Sequence, residues 1–197
     1  MKFCCATVLV VFAASFVQST PAHEIQYSVV ISGAAEAPPN TSPGTGSGLV
    51  TVDVDLATMR VEASFSDLMG NVSAAHIQCC TADPGTGTAG VATPTPTFPG
   101  FPSGVTAGVY DMSFDLSAAS SYNPAFVTAN GGSISAAMNA LLAGIDTGRA
   151  YLNIHTSSFP GGEIRGFPQL VPEPSTWCLV LIGLGVTALW RRRLSGV

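Results

Sequence analysis

Tyr151-Leu-Asn-Ile-His-Thr-Ser-Ser-Phe-Pro-Gly-Gly-Glu-Ile-Arg-Gly166 sets two short alternating runs on either side of a Ser-, Pro- and Gly-rich segment. This is the pattern of a β-hairpin with a longish loop. A register that pairs His155 with Glu163 places Asn153 opposite Arg165 and Tyr151 opposite Phe167 on one face, and Ile154 opposite Ile164 on the other. A slip of one residue would carry Ile164 to the polar side, so the apolar pair selects this register. The hairpin therefore predicts a polar cluster of Asn153, His155, Glu163 and Arg165 backed by an apolar layer that faces a core. Glu163 and Arg165, two apart on one strand, are expected to form a stabilising ion pair rather than an acid–base dyad.

Asn-Ile-His-Thr at 153–156 followed by Pro-Gly-Gly-Glu-Ile-Arg-Gly at 160–166 resembles the closing motif of the CHRD domain, which is named for chordin and also occurs in exported microbial proteins. Gly33 to Pro39 (Gly-Ala-Ala-Glu-Ala-Pro-Pro) and Ala75-His76-Ile77 fit the same family pattern, and the resemblance spans about Ile25 to Leu170. It implies an all-β domain. It also adds His76 to the polar cluster, although the family often carries His-x-His where this chain has His76-Ile77-Gln78.

The rest of the chain agrees with an all-β reading. It holds 21 glycines and 14 prolines in 197 residues, and only 10% of the residues are charged, which suits short strands joined by many turns. Alternation predicts strands over Ile25 to Ser32, Leu49 to Leu56, Arg60 to Ser66, Asn71 to Gln78 and Gly108 to Leu116. The second and third of these form a hairpin. In the last, Val109, Met112, Phe114 and Leu116 are expected to be buried. The Gly/Ser/Thr/Pro segment from Asn40 to Gly48 reads as loop. Residues 81–107 read as a long functional or surface loop. Ser133 to Ile145 is the one good helix candidate, capped by Ser133 and stopped by Gly144 to Gly148. The expected fold is an antiparallel β-sandwich or barrel-like domain over residues 23–170 with one short inserted helix.

Both ends are different in kind. Residues 1–22 have Lys2, an apolar run and Thr20-Pro21-Ala22, a secretory signal peptide rather than a buried strand. At the other end Pro172-Glu173-Pro174 precedes an apolar run from Thr176 to Trp190 and then Arg191 to Arg193. Residues 171–197 resemble the PEP-CTERM sorting signal of Gram-negative bacteria, which implies processing by an exosortase at Pro172-Glu173-Pro174. The 14 residues from Trp177 to Trp190 are fewer than the roughly 17–25 that span a bilayer core, which favours transient inner-membrane anchoring over a permanent anchor. After release the domain would reach the cell envelope, outer surface or extracellular matrix.

Charge and motifs exclude several functions. Between His23 and Pro174 three arginines face all 12 acidic residues, so the domain repels phosphate backbones and nucleic-acid binding is not expected. The chain has no Gly-x-Ser-x-Gly elbow, His-Glu-x-x-His, phosphate loop or Cys-x-x-Cys, so no enzyme activity is expected. Two imidazoles, His76 and His155, are the residues around which a copper or zinc site could be built. Cys79 and Cys80 are adjacent and can be a disulfide, a pair of thiols or metal ligands. The leading expectation is a non-catalytic surface module without a cofactor that binds protein or exopolysaccharide. The alternative is a copper- or zinc-binding or redox protein centred on His76 and His155.

Overall fold

The computed structural model describes residues 24–172. The signal-peptide segment and the tail beyond Pro172, with Glu173 and Pro174 of the sorting motif, lie outside the described residues. Eight strands build one antiparallel sheet: β1 (Glu24–Ser32), β2 (Thr45–Asp53), β3 (Thr58–Ser66), β4 (Val72–Gln78), β5 (Gly108–Asp115), β6 (Tyr151–Thr156), β7 (Ile164–Gly166) and β8 (Gln169–Leu170). Their order is β4-β6-β7-β1-β2-β3-β5, with β8 continuing along β1 beyond β7. The sheet curls into a half-barrel, as the sequence leads one to expect. Its concave face carries the alternate residues Tyr27, Val29 and Ile31, Val50 and Val52, Met59, Val61 and Phe65, Leu152 and Ile154, all buried.

Helix α2 (Ile134–Asp146) adds Ala137, Leu141 and Ile145 to this core, and its start is set by the Ser133 hydroxyl accepting from the Ala136 N–H. A six-residue helix, α1 (Pro124–Ala129), precedes it. The alternation reading missed α1, though Asn123-Pro124 is a cap followed by proline in the first turn, a recognised start signal.

The remaining side of the core is closed by the long loop rather than by a strand. Along β4, the Phe98 N–H donates to Ala75 O at 2.9 Å and the Ala92 N–H to Ile77 O at 3.0 Å. From the same loop, Phe98 packs its ring on Tyr110 and Phe114 of β5 at 5.6 and 5.3 Å between centroids. Residues 81–107 thus bridge the two outer strands of the curled sheet.

Three local expectations are corrected. Strand β2 begins at Thr45, inside the segment read as loop. It can do so because Gly46 and Gly48 sit where a Cβ would meet Ser64 O at 2.6 Å and Glu62 O at 3.0 Å, so glycine is needed for close strand approach rather than for a turn. Val109 is 76% exposed and Met112 37%. Tyr110 and Phe114 supply the buried face of β5, and Val109 has the opposite parity.

Gly144 makes room for the chain's adjacent cysteines. Cys79 and Cys80 are joined by a disulfide, and a Cβ at Gly144 would overlap both sulfur atoms. Gly144→Ala is therefore expected to lower stability by about 1–3 kcal/mol through overpacking. Gly161→Ala, at a position with open space around it, should change little in the same urea titration. Equal effects would show that the disulfide does not seat on α2 at this point.

Candidate functional site

The convex face of β4, β6 and β7 is polar. The register aligns His76 with Asn153 and Asn153 with Arg165, while Ile154 meets Ile164 on the core side. Alternation then adds Gln78, Tyr151 and His155 to the polar side. The rings of His76 and His155 lie edge-on at 5.4 Å, and those of Tyr151 and Phe167 are tilted to each other at 5.2 Å. Four of the family-motif residues, His76, Asn153, His155 and Arg165, are thus brought together.

Glu163 is not with them, and this corrects the expected Glu163–Arg165 pair. Gly162 has φ +131° and Glu163 lies in a bend before β7, so strand alternation does not govern its side chain. Its carboxylate is fully buried and accepts from Ser42 Oγ at 2.5 Å, Thr156 Oγ1 at 2.6 Å, the Met69 N–H at 2.6 Å and the Gly70 N–H at 3.1 Å. Burial opposes its ionisation. The hydrogen bonds from Ser42, Thr156, Met69 and Gly70 outweigh burial and hold the carboxyl below its ordinary range.

Arg165 is served by different partners. Its Nε donates to Ala35 O at 2.5 Å and Nη1 to Gly87 O at 2.7 Å, and its guanidinium carbon sits 4.7 Å from the Tyr151 ring centre. The nearby carboxylate is Glu36, with Oε2 at 3.8 Å. Glu36 comes from the first family motif, Gly33 to Pro39, which was the signal that could have nominated it.

Both imidazoles are neutral and held in defined tautomers. His76 Nε2 lies 2.7 Å from Pro96 O, and His155 Nδ1 lies 3.0 Å from Pro160 O; a carbonyl only accepts, so these nitrogens carry the protons. Burial lowers both pKa values, against the pull of those carbonyls. A directional chain follows. The Ala89 N–H donates to the Tyr151 oxygen at 3.1 Å, Tyr151 O–H to Gln78 Oε1 at 2.5 Å, and Gln78 Nε2 to His155 Nε2 at 3.2 Å.

Three buried acceptors have no donor: His76 Nδ1, Asn153 Oδ1 and Glu36 Oε1. The two oxygens border the space over Gly162, where a Cβ would lie 2.6 and 2.7 Å from them. Burial raises the Glu36 pKa to about 7 even though the Arg165 guanidinium lowers it. A proton on Glu36 supplies the donor this group of oxygens lacks. The polar face does not complete a metal site: two imidazoles fall short of the three or four ligands copper or zinc needs. Among the described residues no group of three or more His, Cys, Asp and Glu side chains is arranged to hold a metal ion. The Cys79–Cys80 disulfide stands apart from this face, between α2 and a groove of about 390 Å³ that also touches α1.

Two predictions follow from these carboxyl groups. Glu163→Gln replaces one acceptor oxygen by a donor facing donors, at about 1–3 kcal/mol for each hydrogen bond lost. The variant should lose at least about 2 kcal/mol by urea unfolding on that basis; a neutral substitution would mean the four contacts do not hold the fold. Glu36 acts in the opposite sense. Its folded pKa of about 7 lies above the ordinary 4.5, so its contribution is full below pH 4.5 and is lost as pH rises through 7. Glu36→Gln removes that loss, so its stability relative to the native chain should grow from about pH 5 to about pH 8. A pH-independent difference would contradict the assignment.

The comparisons with known proteins bear on the whole chain. The CHRD domain family model matches residues 27–167, well over half of the chain, and the model of the PEP-CTERM protein-sorting motif matches residues 170–193. No curated protein and no solved structure matches the chain. The extent of the family match places this chain in the CHRD domain family, with a PEP-CTERM sorting motif behind the domain.

Proposed function

We propose that this chain is an exported, non-catalytic binding module, sorted through its tail to the cell surface, where it engages protein or exopolysaccharide. The sorting motif implies export in a Gram-negative bacterium and processing by an exosortase. The non-catalytic part rests on one observation above others: the polar face spends its hydrogen bonds on its own backbone. His76, His155 and Arg165 donate to the carbonyls of Pro96, Pro160, Ala35 and Gly87, which fastens the long loop, the hairpin loop and the turn at Gly33–Ala35 to the sheet. Groups used in this way brace a surface, and the buried acceptors left without a donor are Asn153 Oδ1, Glu36 Oε1 and one nitrogen, His76 Nδ1.

That orphaned nitrogen is what favours the second reading, a copper- or zinc-binding or redox protein centred on His76 and His155. Elemental analysis of protein purified without added metal separates the two readings. The binding-module reading expects no stoichiometric metal. Copper or zinc at one equivalent, lost in His76→Ala and in His155→Ala, would establish the second.

The sorting reading has its own measurement. Intact mass of protein recovered from the cell surface should lack Arg191 to Arg193, with the end at or near Pro172-Glu173-Pro174. A mass that retains the three arginines would contradict it.

A further inference from the structure

The last backbone hydrogen bond of the domain and the first residue of the sorting motif are neighbours. In β8, Gln169 faces Ser28 and Leu170 faces Tyr27, and the Val171 N–H donates to Gln26 O at 2.8 Å. Pro172, the next residue, opens the Pro-Glu-Pro motif, and the sorting match already begins at residue 170, inside β8. A protein that recognises an extended peptide by strand addition binds the peptide's own backbone N–H and C=O groups. A backbone group bonded to β1 is not available to an enzyme. At about 3.3 Å per residue, the three residues before Pro172 span only about 10 Å, so an enzyme reaching the motif meets the domain wall.

The strand is built to come away without disturbing the rest. It has two residues, both exposed, with Leu170 at 56%. Pro168 has no N–H and interrupts the pairing along β1 in the gap between β7 and β8. Upstream of that break, Phe167 is held against the Tyr151 ring and lies 5.3 Å from the Arg165 guanidinium carbon. Pro168 is itself buried, so release is confined to residues 169–171 beyond it.

We propose that β8 is a releasable strap: paired with β1 it withholds residues 169–171 from the exosortase, and its release delivers the sorting motif for processing. The strap rests on the sorting reading above and adds a regulated step to it. Apparent affinity of the enzyme for the chain then scales with the fraction of molecules in which the strap is off.

The test uses the full chain in its exporting host, with processing followed by intact mass over time. Ser28→Cys with Gln169→Cys places two thiols on directly facing, exposed positions of β1 and β8. A second variant inserts a six-residue Gly-Ser linker between Val171 and Pro172, which leaves the fold untouched and moves the motif away from β1. If the released fraction governs access, the oxidised tether should slow processing at least about tenfold and the linker should speed it severalfold. Reductant should restore the tethered chain, with the native chain under the same reductant as control because it carries its own Cys79–Cys80 disulfide. Processing of the tethered chain at the native rate would overturn the strap while leaving the sorting reading intact. Absence of processing in the native chain would overturn the sorting reading and the strap with it.

Discussion

A carboxylate that makes no ion pair among the described residues holds this domain together. Glu163 lies in the interior, and its charge is met by two hydroxyls and two backbone amides contributed from three separate places: Ser42 before β2, Met69 and Gly70 before β4, and Thr156 at the end of β6. Its own backbone joins in, since the Glu163 carbonyl accepts from Asn40 Nδ2 at 2.9 Å and its N–H donates to Ile154 O at 2.8 Å. Dipoles of this kind are oriented when the segments dock and cost little reorganisation afterwards, which is why a buried anion can persist without a salt bridge. The arrangement ties three Gly-containing connections to one point of the sheet.

How much of this was legible depended on whether the information was local. The Ile154–Ile164 pair and the Asn153–Arg165 register follow from two-residue periodicity, and the structure has both. Helix α2 was legible because Ser133 caps it and its apolar positions recur at helical spacing. Periodicity failed at Glu163 because one residue with a positive φ, Gly162, resets the side-chain direction, and nothing in an alternating pattern announces that. The partner of Arg165 was illegible for another reason. Glu36 is 129 positions away in the chain, and only the family pattern in Gly33 to Pro39 hinted that the segment returns to the hairpin. The loop reading of 40–48 failed because glycine has two uses, and here Gly46 and Gly48 permit close strand approach.

The two buried carboxyl groups, Glu163 and Glu36, answer pH in opposite ways. Glu163 needs to be charged, and its contribution disappears as pH falls below its ordinary 4.5. His76 and His155 need to be neutral, so their contribution also fades as pH falls below 6.5. Glu36 alone favours the acid side, through its raised pKa. A domain held outside the cytoplasm has no buffered compartment around it, and the opposed signs broaden the range over which its stability stays level.

The loop that bridges β4 and β5 has a consequence for the outer edge of β4. An uncovered outer strand offers a row of N–H and C=O groups on which another chain can add. Along β4 that row is already taken by residues of the protein's own loop, through Ala92, Phe98 and Gly104 donating to Ile77, Ala75 and Val72. The low-complexity Thr-, Pro- and Gly-rich composition of the loop suits this task, because a shield made of such residues satisfies the strand without presenting a fresh ladder of its own. What looks in the sequence like filler completes the hydrogen bonding of an outer strand.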